Sequence, residues 1–319
     1  MTLRRKILYL FIIAILITGI AFYQYAVSPV TDLTVTKIVE IQKGSGFFRT
    51  TDILCEAGLV KNRPFFWMLA IAKRAPRQIR SGRYELAGSM SQSAILDKLV
   101  RGEINVYAVT LPEDVTVNEV ARRLSAFKLV DEKEFMTLVT DRSFLASLDI
   151  EADSIEGYLY PETYRFDRSM TTQEILRILV GKFWKEATPE MRKRAKEIGL
   201  TQTQWVTLAS IIGKYSGNTK EKAIISAVFH NRLKQGMKLQ SDPTAIYGLG
   251  LKEKHVNTDR KDYRKSDTPY NTYRIIGLPP GPIANPGIDS LQAALYPANV
   301  DYIYIMAKKD GTYKFSTKK

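Results

Sequence analysis

The chain has 319 residues, enough for two domains with a sizeable core, and its 45% apolar and 25% charged content is that of an ordinary globular protein. Lys and Arg outnumber Asp and Glu 47 to 33, a formal charge of +14, which suits either a solvated basic surface or attraction to anionic envelope polymers and lipid head groups. No zinc pattern or nucleic-acid motif accompanies that charge, so nucleic acid is not an expected partner. Cys55 is the single cysteine, which excludes an intrachain disulfide and a multi-cysteine metal site. It lies with Ile53, Leu54 and Leu59 on the apolar side of a predicted helix and reads as a small buried hydrophobe. His230 and His255 are too few for a histidine-rich metal centre, and no metal or other cofactor is expected.

At the N-terminus, Arg4, Arg5 and Lys6 precede an uncharged, mostly apolar run over 7–31. About 20 apolar residues span a bilayer, and basic residues on the N-terminal side keep that end in the cytoplasm. The expectation is a cytoplasmic tail over 1–6, a single-pass anchor over 7–31 with Tyr23 and Tyr25 at the far interface, and residues 32–319 outside the inner membrane. The competing reading is a signal peptide cleaved after Ala26-Val27-Ser28, against which stand the length of the apolar run and the two bulky tyrosines.

Residues 38–180 carry an internal repeat. At an offset of 70, Ile41, Gly44, Leu54, Leu59, Val60 and Phe65 fall on Leu111, Asp114, Leu124, Leu129, Val130 and Phe135. At an offset of 80, Tyr84, Leu86, Ser89, Met90, Ile95, Leu96, Leu99 and Val100 fall on Tyr164, Phe166, Ser169, Met170, Ile175, Leu176, Leu179 and Val180. Each half reads strand, polar turn and helix, then a short strand, a Ser-Met turn and a second helix. The change of offset leaves about ten extra residues in the second copy, around IEGYLYPETY at 155–164, either a functional insertion or a linker loop.

Further on, 189–198 predicts a charged helix stopped by Gly199. Thr201 and Gln204 then form a capping box for a second helix, with Trp205, Leu208, Ala209 and Ile212 as its buried stripe and Gly213 at its end. Ser216-Gly217-Asn218 breaks the chain before a helix over about 220–234 that buries Ile224, Ala227 and Val228. GMKLQSDPTAIYGLG reads as loop and turn, and the Pro/Gly-dense 268–287 as neither regular helix nor central strand. A short helix over 289–295 and a hairpin turning at Asp310-Gly311 complete the chain.

The block 201–316, with LASII, NRL, KLQSDPT, IYGLG, PYNTY, GLPPGPI and NPG, resembles the YceG/MltG-like endolytic murein transglycosylases. The resemblance implies an α+β chain: the anchor, a LysM-like module over 32–107, a second repeat or linking subdomain over 108–188, and a catalytic core over 189–319. It further implies a membrane-anchored enzyme that cuts the MurNAc-GlcNAc bond of nascent peptidoglycan strands without water, leaving 1,6-anhydro-MurNAc ends and limiting strand length. Glycan strands, the inner membrane and the cell-wall synthesis machinery are the implied partners.

In that family one glutamate serves as both acid and base, and its slot holds Gly213 here; Tyr215 stands where a second acid is often found. Such a group needs a pKa raised by an apolar site, which Trp205, Ile211 and Ile212 are placed to supply. Glycine cannot do this chemistry. Asp242, Glu162 and Glu156 are therefore candidate substitutes, Asp242 with the plain alternative of capping its turn. Glu221 is accounted for by the dipole of the helix it opens. Ser210, Asn231, Arg232, Gln240, Thr244, Tyr270, Asn271 and Tyr273 are implied substrate-positioning residues, with helix capping or wall packing as alternatives for several of them. The family's chains commonly continue past the last strand with a His/Asn-bearing tail, so a sequence ending at Lys319 is expected to close the cleft differently. The alternative to a working enzyme is an impaired member that binds peptidoglycan or acts as a scaffold; an unrelated hydrolase built on Asp242 or Glu162 is a third reading.

Overall fold

The structure is a computed structural model that describes residues 3–31, 35–215, 218–250, 262–308 and 312–318. The Ser216-Gly217 break, His255 and the Asp310-Gly311 turn lie outside the described residues. Helices and short strands mix along the chain, which divides into two compact units, Met1–Tyr107 with Arg165–Met170, and Ala108–Tyr164 with Thr171–Lys319.

The first unit opens with α1 (Leu3–Val27), whose Arg5–Val27 stretch is long and apolar enough to cross a membrane and is mostly exposed, only its last turns packing on the unit through Phe22, Tyr25 and Ala26. The helix ends before Pro29, so the uncharged run over 7–31 is not one element. Residues 28–31 are pinned to the unit instead: Pro29 bridges Ser91, Thr31 N donates to Gly88 O at 2.9 Å, and Val30 is buried. Tyr25, expected at the far membrane interface, turns its hydroxyl onto the unit, donating to Gln92 Oε1 and Asn62 O, both at 3.0 Å, and its ring meets Phe65 edge-on.

The rest of the unit runs β1 (Thr36–Ile41), α2 (Phe47–Glu56), α3 (Arg63–Ala72), β2 (Gly82–Ala87) and α4 (Gln92–Arg101). The strands pair antiparallel from Thr36 opposite Ala87 to Ile41 opposite Gly82. Their alternation sends Val39, Ile41, Tyr84 and Leu86 inward onto Leu54, Phe66, Ile95, Leu96 and Leu99. Cys55 packs beside this core and is half-buried, less enclosed than its sequence setting predicts, because it lies on the shoulder of α2 rather than on the Leu54 face.

From Tyr107 the chain continues through β3 (Tyr107–Thr110), α5 (Val117–Ala126), α6 (Glu132–Val139), α7 (Arg142–Ala146), β4 (Thr163–Phe166) and α8 (Thr172–Glu186), in the second unit apart from Tyr107 and the end of β4. The order β-α-α-β-α thus occurs twice, with α7 added in the second instance. Local chemistry recurs with it. Tyr84 donates its hydroxyl to the carbonyl of Arg80, and Tyr164 donates to the carbonyl of Tyr160, each four residues back. Ser91 caps α4 and Thr171 caps α8. The residue matching the buried Phe135 is Phe66, since Phe65 turns toward α1; the offset there is 69, in step with the caps Asn62 and Asp131.

Then follow α9 (Pro189–Glu197), α10 (Gln202–Gly213), α11 (Thr219–Lys234), α12 (Asp242–Gly248), α13 (Ile288–Leu295), β5 (Tyr304–Ala307) and β6 (Tyr313–Ser316), the last two forming an antiparallel pair. In α11, Ile225 rather than Ile224 joins Ala227 and Val228 in the core. The segment predicted as loop around Ser241 contains α12. Pro243 sits in its first turn, where no amide is needed, and Asp242 faces the positive end of the helix.

Candidate active site

The central element is α10. Thr201 and Gln204 cap it reciprocally, Thr201 Oγ1 accepting from Gln204 N at 3.2 Å and Gln204 Oε1 accepting from Thr201 N at 3.0 Å. Every residue from Trp205 to Gly213 is buried, so the predicted stripe is in fact a helix enclosed on all sides, packed by α9, α11 and α13. Trp205 Nε1 donates to Leu291 O at 2.9 Å and fixes α10 against α13. Trp205 lies eight residues before Gly213, about 12 Å back along the helix, so its ring does not wall the Gly213 slot.

The slot itself is occupied. A Cβ added to Gly213 would overlap Asp114 Oδ1, lying 2.6 Å from its Cγ and 2.9 Å from Oδ2. Asp114 belongs to the turn joining β3 to α5 and holds φ at +61°, a left-handed conformation that aspartate adopts more readily than most residues. Its amide donates to Asn285 O at 2.8 Å, and its carbonyl accepts from Lys214 Nζ at 3.1 Å. The whole residue remains half-buried.

Asn285, buried, staples this turn in place. Its amide and Nδ2 both donate to Val115 O at 2.9 Å, Nδ2 also donates to Glu156 Oε1 at 3.0 Å, and Oδ1 accepts from Gly157 N at 3.0 Å and Leu159 N at 2.9 Å. The preceding carboxylate, Glu113, rests where a Cβ on Gly287 would overlap it, 2.6 Å from Oε2, and meets Nζ of the buried Lys222 at 3.3 Å. Sequence reasoning passed over Glu113 and Asp114 as functional residues. The signal was present in the repeat: Asp114 aligns with Gly44, whose φ is +84°, so an aspartate stands where the first copy uses glycine for the same left-handed turn.

The three proposed substitute acids have other roles. Asp242 accepts Arg264 Nε and Nη2, each at 2.7 Å, and the Tyr273 hydroxyl at 2.5 Å. Burial alone would raise its pKa, but the Arg264 and Tyr273 bonds outweigh it and hold the group below the ordinary range, a fixed carboxylate rather than an acid. Glu162 pairs with Lys182 at 2.9 Å, and Lys182 also holds Glu186, making a partly exposed ion-pair cluster. Glu156 is buried. Its oxygens accept from Val117 N at 2.9 and 3.0 Å, from Asn285 Nδ2, and from the Tyr247 hydroxyl at 3.2 Å, so it caps α5 from within the core. Burial pushes its pKa up to about 7 against the opposing Val117 and Tyr247 bonds.

Of the implied substrate-positioning residues, most are internal fasteners. Ser210 donates to Thr207 O and accepts from Ile283 N at 3.0 Å. Asn231 reaches Val300 O and Tyr302 O, and Arg232 reaches Ile303 O and Leu239 O, both at 2.6 Å. Thr244 bonds Ser241 O and Thr272 Oγ1, and Asn271 bonds Arg264 O and Ser266 O. Sequence position alone does not distinguish such residues from ligand contacts, because both need polar groups at fixed points. Gln240 is exposed at φ +51°, while Tyr270 and Tyr273 are half-buried; these three keep surface available to a ligand. Tyr215 is a packing residue, its ring against Phe229 and Tyr313 and its carbonyl accepting the Tyr313 hydroxyl at 2.7 Å.

A cavity of about 790 Å³ opens beside Thr201, Thr203 and Gln204, with Arg142, Glu151 and Pro279 among its walls. It sits at the opposite end of α10 from Gly213, so cavity volume does not mark the slot. Among the described residues, no group of His, Cys, Asp and Glu is arranged to hold a metal ion.

The YceG-like family matches residues 39–319, and the chain belongs to that family. An endolytic murein transglycosylase of Bacillus subtilis is 30% identical over 89% of this chain and 82% of its own length. One from Streptococcus pneumoniae is 28% identical over 94% of this chain, which spans 60% of that relative. A crystal structure of a YceG-like protein from Listeria monocytogenes superposes with a TM-score of 0.60 at 29% identity, covering 89% of this chain and 97% of that one. These relatives support peptidoglycan transglycosylase activity at the level of the family.

Proposed function

We propose that this protein is a membrane-anchored endolytic transglycosylase. It cuts the MurNAc-GlcNAc bond within peptidoglycan strands and leaves 1,6-anhydro-MurNAc ends. The observation that carries this reading is the extent of the family match, which spans residues 39–319 and so takes in α10, α11, α12 and α13. The anchoring role of α1 is supported by its apolar length and by the docking of Tyr25 onto the first unit, which a cut after Ser28 would sever. We further assign the first unit to glycan binding as a LysM-like module, with 108–188 as its duplicated partner; the recurring β-α-α-β-α order supports this.

A second reading is favoured by one fact: Gly213 has no side chain to act as acid or base. In that case the protein binds strands without cutting them. The full-length chain in detergent, incubated with purified sacculi, separates the two. Anhydro-muramyl fragments detected by mass spectrometry are the expected result. Strand binding without such fragments overturns the enzymatic reading and leaves the binding protein.

A further inference from the structure

We propose that Asp114 is the acid–base catalyst of this chain, its carboxylate entering from the β3–α5 turn the space that Gly213 leaves at the end of α10. This rests on the transglycosylase reading and deepens it. The geometry is specific. The Asp114 carboxylate stands where a Cβ on Gly213 would be, so residue 213 can carry a side chain or Asp114 can point inward, but not both. The position is held from two sides, by Asn285 O on the Asp114 amide and by Lys214 Nζ on its carbonyl. Lys214 directly follows Gly213, so the turn is tied to the same helix end that it complements. An aspartate also keeps φ at +61°, where glycine would be the unstrained choice and where the aligned position of the first repeat does use glycine, Gly44. A side chain maintained against that preference and aimed at a gap in a buried helix, the residue partly exposed while its Oδ1 is buried, has the features of a reacting group held in an apolar site.

The step balances on one carboxyl group. Protonated Asp114 gives its proton to the glycosidic oxygen as the bond from that oxygen to the muramyl anomeric carbon breaks. The 6-hydroxyl oxygen of the same muramyl residue bonds to the anomeric carbon, and its proton passes to the Asp114 carboxylate. No water, oxidant or metal enters, and the enzyme ends in the protonation state in which it began.

The test compares the unaltered full-length chain with D114N, D114G and D114G/G213E on sacculi, reading anhydro-muramyl product, strand binding and circular dichroism together. D114N, isosteric with the native residue, is expected to lower the cutting rate by about 10²–10⁴ with fold and binding unchanged. D114G/G213E, which returns a carboxylate to the same space from α10, is expected to regain at least about tenfold over D114G, a rescue that a merely structural aspartate would not allow. D114N cutting at the unaltered rate overturns the assignment of Asp114 while the transglycosylase reading stands. A folded D114G/G213E no faster than D114G also overturns it. No anhydro product from the unaltered chain sinks the transglycosylase reading and the role of Asp114 with it.

Discussion

Asp114 and Gly213 share one volume: the carboxylate of the first stands where any side chain on the second would begin. This exclusion has a thermodynamic signature that does not depend on catalysis. Replacing Gly213 by alanine at a helix end gains up to about 1 kcal/mol in helix propensity. It also drives a methyl group into a carboxylate that Asn285 and Lys214 hold by its backbone, an overpacking that costs about 1–3 kcal/mol. G213A is therefore expected to be less stable than the native chain in chemical denaturation.

The same contact predicts coupling. D114G removes the obstructing carboxylate and relieves a left-handed aspartate, worth about 1 kcal/mol. D114G/G213A is then expected to be more stable than the sum of the two single changes by about 1 kcal/mol or more, measured as a double-mutant cycle. Strict additivity would show that the two residues do not meet in solution.

The capping box and both ends of α10 were legible in the sequence because they are written locally: Thr201 with Gln204, the apolar stripe from Trp205, and the glycine at 213. The contact that fills the Gly213 slot was not legible, because it joins residues 99 positions apart in a turn that carries no apolar period. In the sequence Asp242 stays between two roles, candidate acid and turn cap, for a related reason. A carboxylate before proline looks the same in sequence whether it faces a sugar or, as here, Arg264, 22 residues on. Asn231 and Arg232 show the same limit, since their backbone partners near residues 300–303 come together only when β5 docks beside α11.

The Asp242–Arg264 pair is expected to matter for stability and to have a pH dependence of definite sign. Its two parallel bonds and the Tyr273 hydroxyl hold Asp242 below the ordinary carboxylate range. A depressed pKa contributes stability that is present above the unfolded value, near 3.9, and is lost as pH falls through the folded value. D242N is expected to destabilise by about 1–3 kcal/mol at neutral pH, and the deficit should shrink as the native protein is acidified below about pH 4. Thermal melts of both proteins across that range measure it.

Asn285 is the residue whose loss should disturb the most structure for the smallest change. Its side chain satisfies two amides and a carboxylate that are buried with it, and a partly buried carbonyl. N285A leaves the Gly157 and Leu159 amides without their acceptor, at about 1–3 kcal/mol each, for a total of about 2–6 kcal/mol. N285D should recover the amide contacts but set a second carboxylate against Glu156. It is therefore expected to be less stable than the native chain near pH 8 and closer to it near pH 5. Urea denaturation at the two pH values gives the comparison.

Glu156 runs opposite to Asp242. Burial raises its pKa from near 4.5 to about 7, even though Val117, Asn285 and Tyr247 all donate to it. A folded-state pKa raised above the unfolded value means the native state holds a proton that the unfolded state has released. The associated stability is complete below about pH 4.5 and is lost as pH rises through about 7. The loss over that window is on the order of 1–3 kcal/mol. E156Q cannot titrate, so its stability should be flat across the same window. It should also be lower overall, because the amide presents donors to Asn285 Nδ2 or the Tyr247 hydroxyl, which are donors themselves. Subtracting the two stability-pH curves isolates the titration of residue 156. A difference that does not change between pH 4.5 and 8 would show that Glu156 is ionised throughout and that its four hydrogen bonds, rather than its burial, set its charge.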